Sequence, residues 1–126
     1  MTKLTKLNKD FFSQIDFNEG FILTFLDEMI FNGLRTINVL ICVNNLIIII
    51  KARDVIRFNY KELSNAIAEV KVENSKIDIF DYSQSFYDNE PNLSISAKDF
   101  EYYKLENYDP ITNPYQTLVD LGIVNQ

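Results

Sequence analysis

Cys42 is the only thiol in a chain of 126 residues that contains neither histidine nor tryptophan. A His-based triad, a Cys–His dyad, a haem His ligand or a His/Cys zinc site therefore cannot be built from this chain alone. A lone cysteine also excludes a disulfide within the chain. Cys42 lies among Ile and Val in a strand-like run, and a thiol buried in apolar surroundings is inert. The three glycines, Gly20, Gly33 and Gly122, lie 13 or more positions apart. A glycine-rich phosphate loop and a nucleophile elbow are both absent. Carboxylates are the remaining chemical resource. Asp78 and Asp81 flank Phe80, and Asp88 and Glu90 follow. A Mg²⁺ site needs only one or two carboxylates and water. Three-residue spacing on a strand, however, sends Asp78 and Asp81 to opposite faces. A solvated acidic loop is the simpler reading, so no metal, no cofactor and no catalysis are expected.

The distribution of charge is more informative. The chain carries 12 basic and 18 acidic residues, a net charge of −6. Residues 1–63 hold eight basic and seven acidic side chains, whereas residues 64–126 hold four and eleven, a net of −7. Acidity is densest from Asp78 to Asp109, where it is interleaved with tyrosine and phenylalanine. Tyrosine gives a large contact area and a polar tip, and carboxylates accept the fork of an arginine. A positively charged cleft on another protein complements both. Asp78, Asp81, Asp88, Glu90, Asp99, Glu101, Tyr102, Tyr103, Glu106, Tyr108 and Asp109 are therefore the candidate partner-binding residues.

The function expected from this pattern is inhibition by binding. An acidic, Tyr-rich surface would block a basic site on a target, in its sharpest form a protein that handles nucleic acid. The general character is similar in type to phage-encoded inhibitors of host defences and to toxin-immunity proteins. That similarity rests on composition and implies no residue roles. An acidic excess disfavours direct nucleic-acid binding and anionic membranes. The alternatives are an assembly subunit that self-associates through an apolar face, and a carboxylate-dependent metal enzyme. The N-terminal residues lack the apolar run of a signal peptide, and the apolar stretch Ile37 to Ile50 is too short and too interrupted to span a membrane. A cytoplasmic monomer or homodimer is expected.

These side chains must be positioned by one domain, given the length and an apolar content of 47%. Arg35–Val43 and Leu46–Arg53 read as a hairpin turning at Asn44-Asn45. Its register pairs Val43 with Leu46, Ile41 with Ile48, Val39 with Ile50 and Ile37 with Ala52 on one apolar face. The other face, with Cys42 opposite Ile47 and Leu40 opposite Ile49, is apolar only near the turn. Lys76–Asp81 and Asn92–Ser96 read as short strands. Helical spacing of apolar residues predicts helices over Asn8–Asp16, Glu19–Asn32 (ended by Gly33), Tyr60–Lys71 and Ala97–Glu106. A last helix starts at Asn113-Pro114 and is placed to cover the apolar upper half of the hairpin's second face. Asn32-Gly33 as a hairpin turn after a strand is the second-ranked reading of that region. The expected architecture is α+β, a small antiparallel sheet around the hairpin with helices on one face.

Overall fold

The computed structural model describes residues 3–29, 35–44, 46–61, 66–83, 88–106 and 119. Within them the chain runs β1 (Lys3–Leu7), α1 (Lys9–Ser13), β2 (Phe21–Met29), β3 (Arg35–Val43), β4 (Leu46–Tyr60), β5 (Ile67–Val72), β6 (Lys76–Asp81) and β7 (Leu93–Glu106). The strands form one sheet in the order β2-β3-β4-β7-β6-β5, with β1 beside the distal half of β7, and every pairing is antiparallel. The sheet curls into a half-barrel. The α+β expectation is overturned: the described chain is nearly all strand, and α1 is a single short helix.

The central hairpin has the register its apolar pattern dictates, from Val43 opposite Leu46 to Ile37 opposite Ala52. Ile and Val dominate both strands because the pleated surface suits branched side chains. Lys76–Asp81 is a strand as expected, and the Asn92–Ser96 segment is the start of a strand that runs on to Glu106. The first helix is also present, shortened to one turn and a half, with the Asn8 side chain accepting from the Phe11 N–H at its start. Three expected helices are strands instead. Glu19–Asn32 holds β2, Tyr60–Lys71 holds the end of β4 and most of β5, and Ala97–Glu106 is the second half of β7. The alternative strand reading of the Glu19–Asn32 region therefore holds for Phe21–Met29, while its Asn32-Gly33 turn lies outside the described residues.

A shared physical cause explains these three differences. Irregularities in the ladder put inward-facing residues three apart, which is also a helical spacing. In β2 the register shifts between Ile22 and Thr24, so Ile22 and Phe25 both pack on the inner core. In β5 it shifts between Ile67 and Glu69, and Ile67 and Val70 both face inward. Ala97 and Phe100 of β7 repeat the pattern, opposite the stretch of β4 where Asp54 adopts a left-handed φ of 54°. Bulges bend and twist a strand as well as shifting its phase, so the features that mimic helices are the ones that curl the sheet.

The curled sheet encloses its inner face. Ile37, Val39, Ile41, Ile48, Ile50, Ile77, Ile79 and Ile95 line it, and Phe12 and Phe17 from α1 and the following loop plug it. Phe12 is fully buried and stacks on Tyr102 with ring centroids 4.2 Å apart. The curl brings the start of β5 back to the residues before β2. The Ile67 N–H donates to the Gly20 carbonyl at 2.7 Å, and the Glu19 N–H donates to the Ile67 carbonyl at 2.9 Å. A Cβ on Gly20 would lie 3.0 Å from the Cys42 carbonyl oxygen and 3.1 Å from that of Phe17. Glycine is what allows this close crossing. On the outer face a second cluster gathers Leu40, Cys42, Ile47, Ile49 and Leu105. Val119, a helical residue of the C-terminal segment, packs on it, where cover was expected; the rest of the helix expected after Asn113-Pro114 lies outside the described residues.

Candidate functional site

β7 is paired on both edges along much of its length: with β4 on one side, and with β6 and then β1 on the other. Between these two neighbours, β6 and β1, residues 97–101 are paired with β4 alone. β7 is kinked where its phase changes between Ala97 and Phe100; beyond this kink Phe100 and Tyr102 turn into the core, while Glu101 and Tyr103 stand on the outer face. The Tyr103 hydroxyl donates to the Glu101 carboxylate, and Arg53 Nε lies 2.6 Å from the same carboxylate. Burial pushes the Glu101 carboxyl up, but the Tyr103 hydrogen bond and the Arg53 charge outweigh it and leave it below the usual carboxylate range. The Tyr103 phenol is pushed up to about 12, by burial first and then by its bond to Glu101. Both groups thus hold fixed protonation states at neutral pH, one anionic and one neutral. Such a pair suits recognition, since proton transfer is served best by a pKa near the working pH.

Of the candidate residues, Asp99, Glu101 and Tyr103 come together on this strip. Their neighbours carry the opposite charge: Arg53 lies opposite Asp99, Lys51 opposite Glu101 and Lys6 opposite Tyr103. The remaining candidates are dispersed. Asp78 sits on the outer side of β6, accepts from Ser94 Oγ at 2.7 Å and lies 3.5 Å from Lys76 Nζ. Glu90 pairs with Lys61 at 3.0 Å, Glu106 pairs with Lys104 at 3.3 Å, and Asp88 is exposed near Glu90. Tyr102 is in the core, its phenol raised to about 12 chiefly by burial. Asp81 is 0% exposed, with neither carboxylate oxygen hydrogen-bonded. Neither can meet a partner at the surface. Tyr108 and Asp109 lie outside the described residues.

The cations of the strip were not singled out from the sequence. Lys51 lies opposite Asn38 at the polar end of the hairpin, and Arg53 follows it on the same face. Their acidic neighbours were hidden because Ala97–Glu106 carried a helical spacing. Among the described residues no group of three or more His, Cys, Asp or Glu side chains is placed to hold a metal ion. Cys42 is buried, and burial raises its thiol pKa. No helix among the described residues is long and apolar enough to cross a membrane. Comparisons with protein-family models, with curated proteins and with solved structures return no match.

Proposed function

We propose that this chain is a non-catalytic binding protein that docks on a basic site of another protein through the outer strip of β7, a site of the kind that holds nucleic acid being the sharpest form. The observation that carries this reading is the placement of Asp99, Glu101 and Tyr103 on one face of β7, with Asp99 and Glu101 paired to β4 and Tyr103 flanked by both β4 and β1. The charge of Glu101 is held by Tyr103, whose ring adds contact area. Arg53, whose side chain is about half exposed, occupies Glu101 in the free protein. A guanidinium from a partner takes over that carboxylate as Arg53 swings to solvent, and bidentate geometry favours the exchange. The acidic excess of the later half of the chain adds long-range attraction. The apolar end of the hairpin, the other face considered for association, has Val119 packed on it. This supports placing docking at the polar end.

The test is affinity capture with the wild-type chain and with a D99K/E101K variant, followed by association kinetics against the captured protein. A partner held by the wild type alone, whose association slows as salt rises to physiological levels, is the expected result. Capture of the same partner by both baits, at rates indifferent to salt, overturns the reading.

A further inference from the structure

Below the kink, the outer face of β4, β7 and β6 carries a different chemistry from the strip above it. Arg57 lies opposite Ser96, and Ser96 lies opposite Lys76 on its other side. One row of the sheet thus reads long cation, small hydroxyl, long cation. Strands are spaced about 4.8 Å apart, so the two cationic residues start about 10 Å apart across the serine. The next row places Ser94 between Asn59 and Asp78. Two serines between longer side chains leave a hollow, and a cavity of about 590 Å³ lies there, bordered further by Tyr60, Lys61 and Glu90. Its volume falls within the range of small-molecule sites.

The donors around this hollow are unequally used. Lys76 pairs with Asp78 and Lys61 with Glu90. Ser94 donates to Asp78. Arg57 makes no ion pair with any described residue, and neither the Ser96 hydroxyl nor the Asn59 amide is hydrogen-bonded to one. Arg57 owes its position to the register shift between Val55 and Arg57, and bulges commonly re-aim a side chain in this way. The borders carry three cations against Glu90 and the adjoining Asp78, a net positive charge on a chain whose net charge is −6. A local basic hollow on an acidic protein selects compact anions and repels extended polyanions, whose remaining charges would meet the acidic surface.

We propose that this hollow is a binding site for a small phosphate-bearing molecule. The phosphate sits over Ser96 between Arg57 and Lys76: the guanidinium and ammonium donate to its oxygens, and the serine hydroxyl donates from the floor. The rest of the ligand extends along the hollow toward Asn59 and Lys61. This site is separate from the β7 strip and does not depend on its role.

The test is titration calorimetry of the full chain with inorganic phosphate, with a mononucleotide and with the matching unphosphorylated nucleoside. Amide chemical shifts at Arg57, Ser94 and Ser96 locate the binding. Both phosphate compounds are expected to bind and the nucleoside to give no heat. A mononucleotide binding at least tenfold more tightly than inorganic phosphate identifies an ester as the ligand, and equal binding identifies phosphate itself. R57Q is expected to weaken binding at least tenfold with an unchanged thermal midpoint, because the Arg57 side chain is exposed. K76Q is expected to weaken it severalfold. Three results overturn the proposal: no heat from either phosphate compound at millimolar concentration, equal binding by R57Q and wild type, or shifts confined to residues away from the hollow.

Discussion

At the residue scale, Glu101 and Tyr103 make a linked pair whose protonation states are tied to folding. The Glu101 carboxyl is held below its ordinary value of 4.5, so its stabilising contribution is present above that value and is lost as pH falls through the folded pKa. The Tyr103 phenol is raised from 10 to about 12, so its contribution is present below pH 10 and is lost as pH rises toward 12. Tyr103→Phe removes the hydroxyl that links them. Its stability profile from urea midpoints is expected to lie below the wild type near neutral pH and to approach it at both extremes. Parallel profiles would show that the hydroxyl does not set the Glu101 charge. Asp81 is the opposite case, a carboxylate 0% exposed with neither oxygen hydrogen-bonded, although its own N–H donates to Asn92. Buried polar oxygens without hydrogen bonds are costly. Asp81→Leu replaces them with apolar atoms of similar size and leaves that backbone bond intact. It is expected to stabilise the protein by about 1 kcal/mol or more, read as a higher urea midpoint with an unchanged slope. A lower midpoint would indicate that the carboxylate is required where it is.

At the scale of elements, the strands that were legible are those whose phase never changes. Arg35–Val43 and Leu46–Ala52 keep one phase throughout, so their register could be read residue by residue, and the short strand Lys76–Asp81 could be read as a strand. The strands that read as helices are those in which the phase shifts: Ile22 to Phe25, Ile67 to Val70 and Ala97 to Phe100. A shift of one residue reverses the facing of everything after it, and no local composition marks where that happens. The strip of β7 was hidden for the same reason. Its acids were recognised by type, but their cationic neighbours became visible only when that segment paired with β4. Ile56 tests this account directly. It is 71% exposed and lies within the shift between Val55 and Arg57. Ile56→Ala should change stability by no more than about 0.5 kcal/mol, as at an ordinary surface position. Inserting one residue between Arg57 and Phe58 instead turns Phe58 outward, and is expected to destabilise the fold by about 2 kcal/mol or more. Near-equal effects in chemical denaturation would mean that the sheet absorbs the added residue and that the facing of Phe58 is not set by its place after the bulge.

At the scale of the whole molecule, a half-barrel has the problem that both faces of its central hairpin are apolar near the turn. The inner face is closed by curling and by the Phe12 and Phe17 plug. The outer face cannot be closed that way, because curling the sheet splays its convex side. Leu40, Cys42, Ile47, Ile49 and Leu105 therefore need a separate cover, and Val119 packs there, at least seventy positions after the hairpin residues it covers. The two clusters lie on opposite sides of one sheet, so the outer cover can be loosened while the inner core stays intact. Cys42 reports on that separation, since it belongs to the outer cluster and burial raises its thiol pKa. In the wild type a thiol reagent is expected to label it slowly, because both access and thiolate content are low. Val119→Asp places a charge against the apolar cluster and is expected to speed labelling at least tenfold, while backbone circular dichroism retains its strand signal. Val119→Ala should give an intermediate rate. Labelling unaltered by either substitution would mean that Val119 does not guard the cluster. Loss of the strand signal together with fast labelling would mean that the two faces fold as one unit, with the outer cover as necessary to the sheet as the plug within it.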